Sequence, residues 1–344
     1  MSAIQMIGTQ RSGSNLLRVM LHQLGISAPH PPHIIERFIP ILPMYGDLSI
    51  PDNFFRLVED VCQLVESNPV SWGNVYLDRA LIISKCRHFE LVEIMRVIYE
   101  LKCEMEKSNL WMCKSMANIH YISELEKYIK PYYLFLFRDG RDVALSFKNA
   151  IVGEKHVYFL AKQWQYEQEL SIALYEQLGS KRVIMVKYED LIAEPKKQLE
   201  NICLFLGIHY ESNAMEYYTS EESKETAHAG KMWENVDKPL IHNNFNKYTR
   251  GLSSNEIEIF ERVAGRTLIK LGYEVENSQS VENTVFLKSE IECFSKENYK
   301  RKENAKLQQS REDIERRRCQ NILLERLTLQ FRNFLDNQNV YYGI

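Results

Sequence analysis

The chain has 344 residues, 45% of them hydrophobic and 26% charged, with a formal net charge of −3. That balance fits an ordinary globular enzyme domain with an appendage, and it argues against a bulk nucleic-acid binder, which would carry a basic excess. Seven cysteines at irregular spacing, with no C-x-x-C pair, read as free thiols in a reducing compartment, not as a disulfide framework or zinc site.

Ile4 to Ile7 is an apolar run of strand length, and Gly8 to Gly13 forms a turn. Leu16, Leu17, Met20, Leu21 and Leu24 then recur at helical spacing. Strand, glycine-bounded loop and helix together cradle a phosphate or similar oxyanion. Loop N–H groups point at the anion, and the helix dipole favours negative charge there. Gly8 and Gly13 match the outer glycines of the nucleotide loop G-x-x-x-x-G-K-[ST]. Ser14 and Asn15 stand where that motif has its lysine and its magnesium-binding hydroxyl, and Arg11 puts the cation inside the loop. A metal-dependent NTPase would lose two essential side chains by this change. A donor that transfers its group without magnesium would lose little.

Gly25 closes the first helix. Prolines 29, 31 and 32 then predict an extended segment from Pro29 to Arg37 that presents His30, His33 and Glu36. A histidine titrates at about 6.5 when unperturbed, which suits a general base. The order of preference for the base is His33, then Glu36, then His30. Residues 52–106 alternate helical patterns with polar turns and form a helical insertion, at about 45–110. Leu110 to Met116 contains a short apolar run ending at Lys114, placed where open α/β sheets bind ligands, beyond a strand's carboxyl end.

Tyr132 to Phe137 is a clear strand running straight into Arg138, with Ser146 eight residues on. An ATP-hydrolysing protein wants an acidic residue at that point to hold magnesium. An arginine fork instead suits a phosphate. Asp142 reads as a cap or structural partner. A helix over Phe159–Leu178 carries Trp164 and Tyr166, both expected in the core. Arg182 to Leu191 is a further strand entering a helix at Tyr188. Residues 219–253 are polar and irregular, with His228, Lys231, Trp233, Lys238 and Lys247. An amphipathic helix follows at about Ser254 to Leu271. In the tail, the charged stretch Lys296–Arg318 leads to an apolar stripe from Ile322 to Leu335. That stripe fits either a short coiled coil with a second copy or a helix folded back on its own domain.

Gly8-Thr-Gln-Arg-Ser-Gly-Ser-Asn-Leu-Leu17 resembles the 5′-phosphosulfate loop of sulfotransferases that use 3′-phosphoadenosine 5′-phosphosulfate (PAPS). It is similar to the [PQ]-R-S-G-[TS]-x-L-[LM]-R form of bacterial and tyrosylprotein members. Arg138 to Ser146 resembles the family's 3′-phosphate motif, R-[DN]-x-x-D-x-x-x-S. The Y-E-D-L at Tyr188 resembles the element whose tyrosine lies near the adenine. Val236-Asp-Lys-Pro239 and Asn246-Lys-Tyr-Thr249 are similar to V-x-K-P and S-K-W-T elements, which makes Lys247 the lysine that closes over the nucleotide.

The resemblance spans about residues 3–275. It implies an α/β fold, a P-loop NTPase-like parallel sheet flanked by helices, with strands near 3–8, 111–114, 132–137 and 182–187. It further implies PAPS as donor, the bisphosphate PAP as product, and no metal. Arg11 and Lys114 would stabilise developing charge beside a base from His33 or Glu36. Gln10, Ser12, Gly13, Ser14 and Asn15 would hold the 5′ side, and Arg138 and Ser146 the 3′-phosphate, with Tyr188 and Lys247 about the nucleotide. The domain would cover 1–278, with a helical extension at 279–344. The acceptor hydroxyl or amine is left open among small molecule, glycan, lipid and peptide, with no nucleic acid. Two rival readings remain at this point: a P-loop kinase of a small hydroxyl compound, and a non-catalytic PAP-binding module. No apolar run is long enough to span a bilayer and no signal sequence precedes the first strand, so a cytoplasmic location is expected.

Overall fold

The structure, a computed structural model, describes residues 1–73, 75–230, 233–276 and 285–341, with side chains to 337. Lys231 and the expected boundary at 278–279 lie outside the described residues. Four strands form one wholly parallel sheet: β1 (Ser2–Ile7), β2 (Leu110–Cys113), β3 (Tyr132–Phe137) and β4 (Val183–Lys187). Their spatial order is β2-β1-β3-β4, so β1 lies inside the sheet, with Ile4 opposite Met112 on one side and Tyr132 on the other. A parallel sheet must be covered on both faces, and its strands accordingly read as unbroken apolar runs.

Alternation along each strand sorts the side chains between two faces. Ile4, Met6, Met112, Leu134 and Leu136 pack on one side with Leu17, Val19 and Leu21 of α1 (Ser14–Gln23). On the other face the chain supplies two clusters. One gathers α2 (Ile34–Phe38), α3 (Pro51–Glu66), α4 (Arg79–Lys85) and α5 (Leu91–Met105) around Trp111 and Cys113. The other holds Tyr133, Phe135 and Phe137. Between them runs α6 (Ile122–Tyr128), followed after β3 by α7 (Gly140–Lys148) and α8 (Val157–Leu178). The first face is completed by α9 (Tyr188–Ala193) and α10 (Pro195–Leu206).

Then come α11 (Glu221–His228), α12 (Tyr248–Gly251) and α13 (Ser254–Lys270), the last packed on α8 through Phe260, Ala264 and Leu268. Two helices end the chain, α14 (Lys288–Leu307) and α15 (Arg311–Tyr341). No helix among the described residues is long and apolar enough to cross a membrane.

Three expectations need correction. The proline segment is extended only through Pro32. From Ile34 it turns into α2, because no proline interrupts Ile34 to Ile39. Glu36 therefore projects from a helix. The polar stretch 219–253 is not structureless, since Ser220 caps α11 through its side chain and α12 opens at Tyr248. Tyr166 is 57% exposed, whereas Trp164 is fully buried. The tail stripe is divided: Leu323 and Leu327 are buried in the cluster around α3 and α5, while Ile322, Leu329 and Leu335 face outward.

Candidate active site

Each strand hands the chain to the site at its carboxyl end. Gly8 follows β1, Lys114 follows β2, Arg138 follows β3 and Tyr188 follows β4. Lys114, Arg138, Tyr188 and the loop that Gly8 opens line a cavity of about 1160 Å³, together with residues brought in by later segments.

The loop after β1 owes its path to three residues at positive φ: Gly8 (113°), Arg11 (72°) and Gly13 (89°). Gly8 must lack a side chain, because a Cβ there would meet the Leu136 carbonyl oxygen of β3 at 2.2 Å. Gly13 is equally constrained, since its Cβ would lie 2.3 Å from the Tyr188 ring. Gly13 also caps α1 with no side-chain hydrogen bond, so the first N–H groups of the helix stay available to an anion. Gln10, Ser14 and Asn15 line the cavity beside Arg11. Ser12 is turned inward; it is fully buried, its hydroxyl has no partner, and it does not line the cavity.

The two sequence motifs meet directly. Arg11 Nε donates to Ser146 Oγ at 3.0 Å. Arg138 is buried and donates through Nη2 to the Asn244 carbonyl at 2.9 Å and to Asp142 at 3.2 Å. Its Nε, shut off from solvent, has no protein acceptor. The guanidinium stacks over the Tyr188 ring at 4.6 Å, and the hydroxyl of that tyrosine accepts from Asn244 Nδ2 at 2.7 Å. Tyr188 thus buttresses both loops, under Gly13 on one side and Arg138 on the other. Asp142 fixes the neighbouring segment by accepting the Tyr248 N–H at 2.8 Å, which places Lys247 at the exposed rim. Asn244 was not visible as a site residue in the sequence, because its contribution to Arg138 is a backbone carbonyl.

Lys114 Nζ donates to Asn15 Oδ1 at 3.1 Å. Burial, then the charges of Arg18 and Arg11, push its ammonium down to about 7. Arg11 is likewise lowered, by burial and by Arg138. Cations crowded together without an anion cost free energy that a bound polyanion offsets. A proton-linked prediction follows. Above neutral pH the free Lys114 is largely uncharged, and a phosphate beside it raises its pKa, so binding takes up a proton. Calorimetry of PAP binding at about pH 8 in buffers of different ionisation enthalpy should show that uptake, and Lys114→Met should abolish it. Proton release, or no exchange, would contradict the placement.

His33 caps α2 with φ 62°, a left-handed conformation unusual for a residue with a Cβ. Its Nδ1 lies 3.2 Å from Glu36 Oε2. The two base candidates are therefore neighbours at ion-pair distance, although the buried Nδ1 makes no hydrogen bond of good geometry. Burial lowers the His33 pKa, and Glu36 partly opposes this. His30 is 6% exposed with both ring nitrogens unpartnered. Its carbonyl accepts from Trp72 and Asn68, and burial holds its pKa well below the usual range. His30 accordingly stays neutral and fixes the corner of the segment.

A family model for sulfotransferases matches residues 3–212. The chain belongs to the sulfotransferase family. The sulfotransferase domain of a curacin biosynthetic pathway superposes with a TM-score of 0.52 at 20% identity, over 80% of this chain and 98% of its own. The sulfotransferase domain of an olefin synthase from Synechococcus PCC 7002 gives 0.49 at 20% identity, over 76% and 93%. No curated protein matches the chain. The family match ends before Asn244, Lys247 and the last helix, which reach the same cavity.

Proposed function

We propose that this sulfotransferase moves a sulfuryl group from PAPS to a hydroxyl or amine of its acceptor, without a metal ion. The observation that carries the reading is the contact of the two anion motifs. Arg11 and Ser146 are hydrogen-bonded, and beside them a buried arginine keeps an unpartnered Nε. Two phosphate-binding elements joined in one cavity suit a nucleotide with phosphates on both sides of its ribose. PAPS, when bound, supplies an activated sulfuryl group on its 5′ side.

The residues of the chain do the rest. Gln10 to Asn15 and the open start of α1 would hold the 5′ end. Arg138, Ser146 and the rim residue Lys247 would hold the 3′ side, with Tyr188 supporting both loops. Arg11 and Lys114 put positive charge where oxygens become more negative, a preorganised electrostatic effect. His33, with the Glu36 carboxylate beside it, takes the acceptor proton. Seven free cysteines support a reducing, cytoplasmic setting.

Untargeted mass spectrometry tests the reading. The protein is incubated with PAPS, EDTA and a host-cell extract, and a compound gaining one sulfuryl group is the expected outcome. In a parallel incubation with magnesium-ATP and no EDTA, a product that gains a phosphoryl group would make the protein a kinase.

A further inference from the structure

The last helix closes the acceptor end of the cavity. Leu327, buried at 2% exposure, and Leu323 fix α15 in the cluster around α3. Arg326 Nη2 donates to Asp60 at 2.7 Å and to Gln63 at 2.9 Å. Residues 317, 320, 324 and 327 follow each other by three, four and three, so they share one helical face. The part of this face beyond the leucines turns polar where it meets the cavity. It presents Arg317 and Gln320 to the cavity that His33, Glu36 and Arg37 also line.

One donor atom of each of these side chains, and of Arg37, is buried and unsatisfied. Gln320 is 3% exposed and its Nε2 has no acceptor. Arg317 Nε and Arg37 Nη1 are buried without one. Arg317 lies over the Trp233 ring at 5.7 Å, and that ring packs edge-on against His30 at 4.8 Å. Arg37 and Arg317 are close enough to lower the Arg37 pKa, after burial. Asp313 eases the Arg317 charge, and Glu36 is turned to His33. Among the described residues no carboxylate lies within ion-pair distance of either guanidinium. Buried donors without acceptors are costly unless a ligand satisfies them.

We propose that Arg37, Arg317 and Gln320 form an anion subsite, so that the acceptor is an acidic hydroxyl compound held by its carboxylate or phosphate. The subsite rests on the sulfuryl-transfer reading for its role, yet it is built partly by α15, outside the family match. The terminal helix is then the element that selects the acceptor.

The test uses the full chain saturated with PAP, so that the donor phosphate positions are filled. Calorimetry follows binding of ω-hydroxy carboxylic acids of increasing chain length, their methyl esters, and the corresponding diol monophosphates. One chain length should bind about tenfold or more tightly as an anion than as the ester, the scale of a charge-assisted hydrogen bond. Comparing the carboxylic acids with the monophosphates tells which anion the subsite prefers. Arg317→Gln with Gln320→Leu should remove the preference, and PAP affinity should change less than about twofold, which also reports that the variant is folded. The proposal is overturned if acids and esters bind alike, if none binds, or if the preference survives the double variant. Failure of PAP itself to bind would remove the sulfuryl-transfer reading as well.

Discussion

His33→Ala is expected to lower kcat by about 10²-fold or more while PAP affinity is nearly unchanged, the scale typical of a positioned general base. The donor would be gripped by the loop after β1 and by Arg138 with Ser146, motifs separate from the segment that carries His33. Its backbone is left-handed at the start of α2, and Glu36 Oε2 lies 3.2 Å from its Nδ1. The pH profile carries the sign. A base works when neutral, and burial lowers the pKa of His33, so the rising limb should fall below the ordinary 6.5. Glu36→Gln removes the carboxylate that props this pKa up. It should move the limb further to acid and cost less in kcat than His33→Ala. If Glu36→Gln abolishes turnover and His33→Ala does not, the carboxylate is the base.

Arg138→Ala should weaken PAP binding by about 2 kcal/mol or more, the loss expected for a buried charge-assisted clamp. Its Nε is the buried donor without a protein acceptor, and its Nη2 is already spent on Asn244 and Asp142. The same arginine stacks on Tyr188, so part of the loss will come from a loosened buttress. Arg138→Lys separates the two. A lysine keeps the charge but neither the fork nor the flat stacking face, and it should recover only a small part of the affinity. Unchanged calorimetric affinity in the folded alanine variant would remove Arg138 from the site.

Most of the sheet could be read in the sequence because its strands are buried on both faces and appear as short apolar runs. Each is followed at once by a residue of distinct chemistry: Gly8, Lys114, Arg138 or Tyr188. The loop motif was legible for a related reason, since Gly8 and Gly13 answer local steric demands from Leu136 and Tyr188. What escaped was set by backbone contacts, by a local helix start and by distant packing. Asn244 serves Arg138 through its backbone, which no side-chain pattern records. The pairing of His33 with Glu36 depends on a helix starting at Ile34, where the prolines upstream suggested extension. The tail offered an apolar stripe without a partner. Its packing against α3 depends on Asp60 and Gln63, more than 250 residues earlier in the chain.

On the proposed function, the sheet's carboxyl ends form a metal-independent site for a nucleotide bearing phosphates on both sides of its ribose. The most direct measurement is the affinity of the purified chain for PAP in EDTA, compared by calorimetry with its affinity for magnesium-ATP. The account predicts that PAP binds more tightly by at least about tenfold, as losing one charge-assisted clamp would require, and that Arg138→Ala erases most of the difference. Tighter binding of magnesium-ATP than of PAP would contradict it.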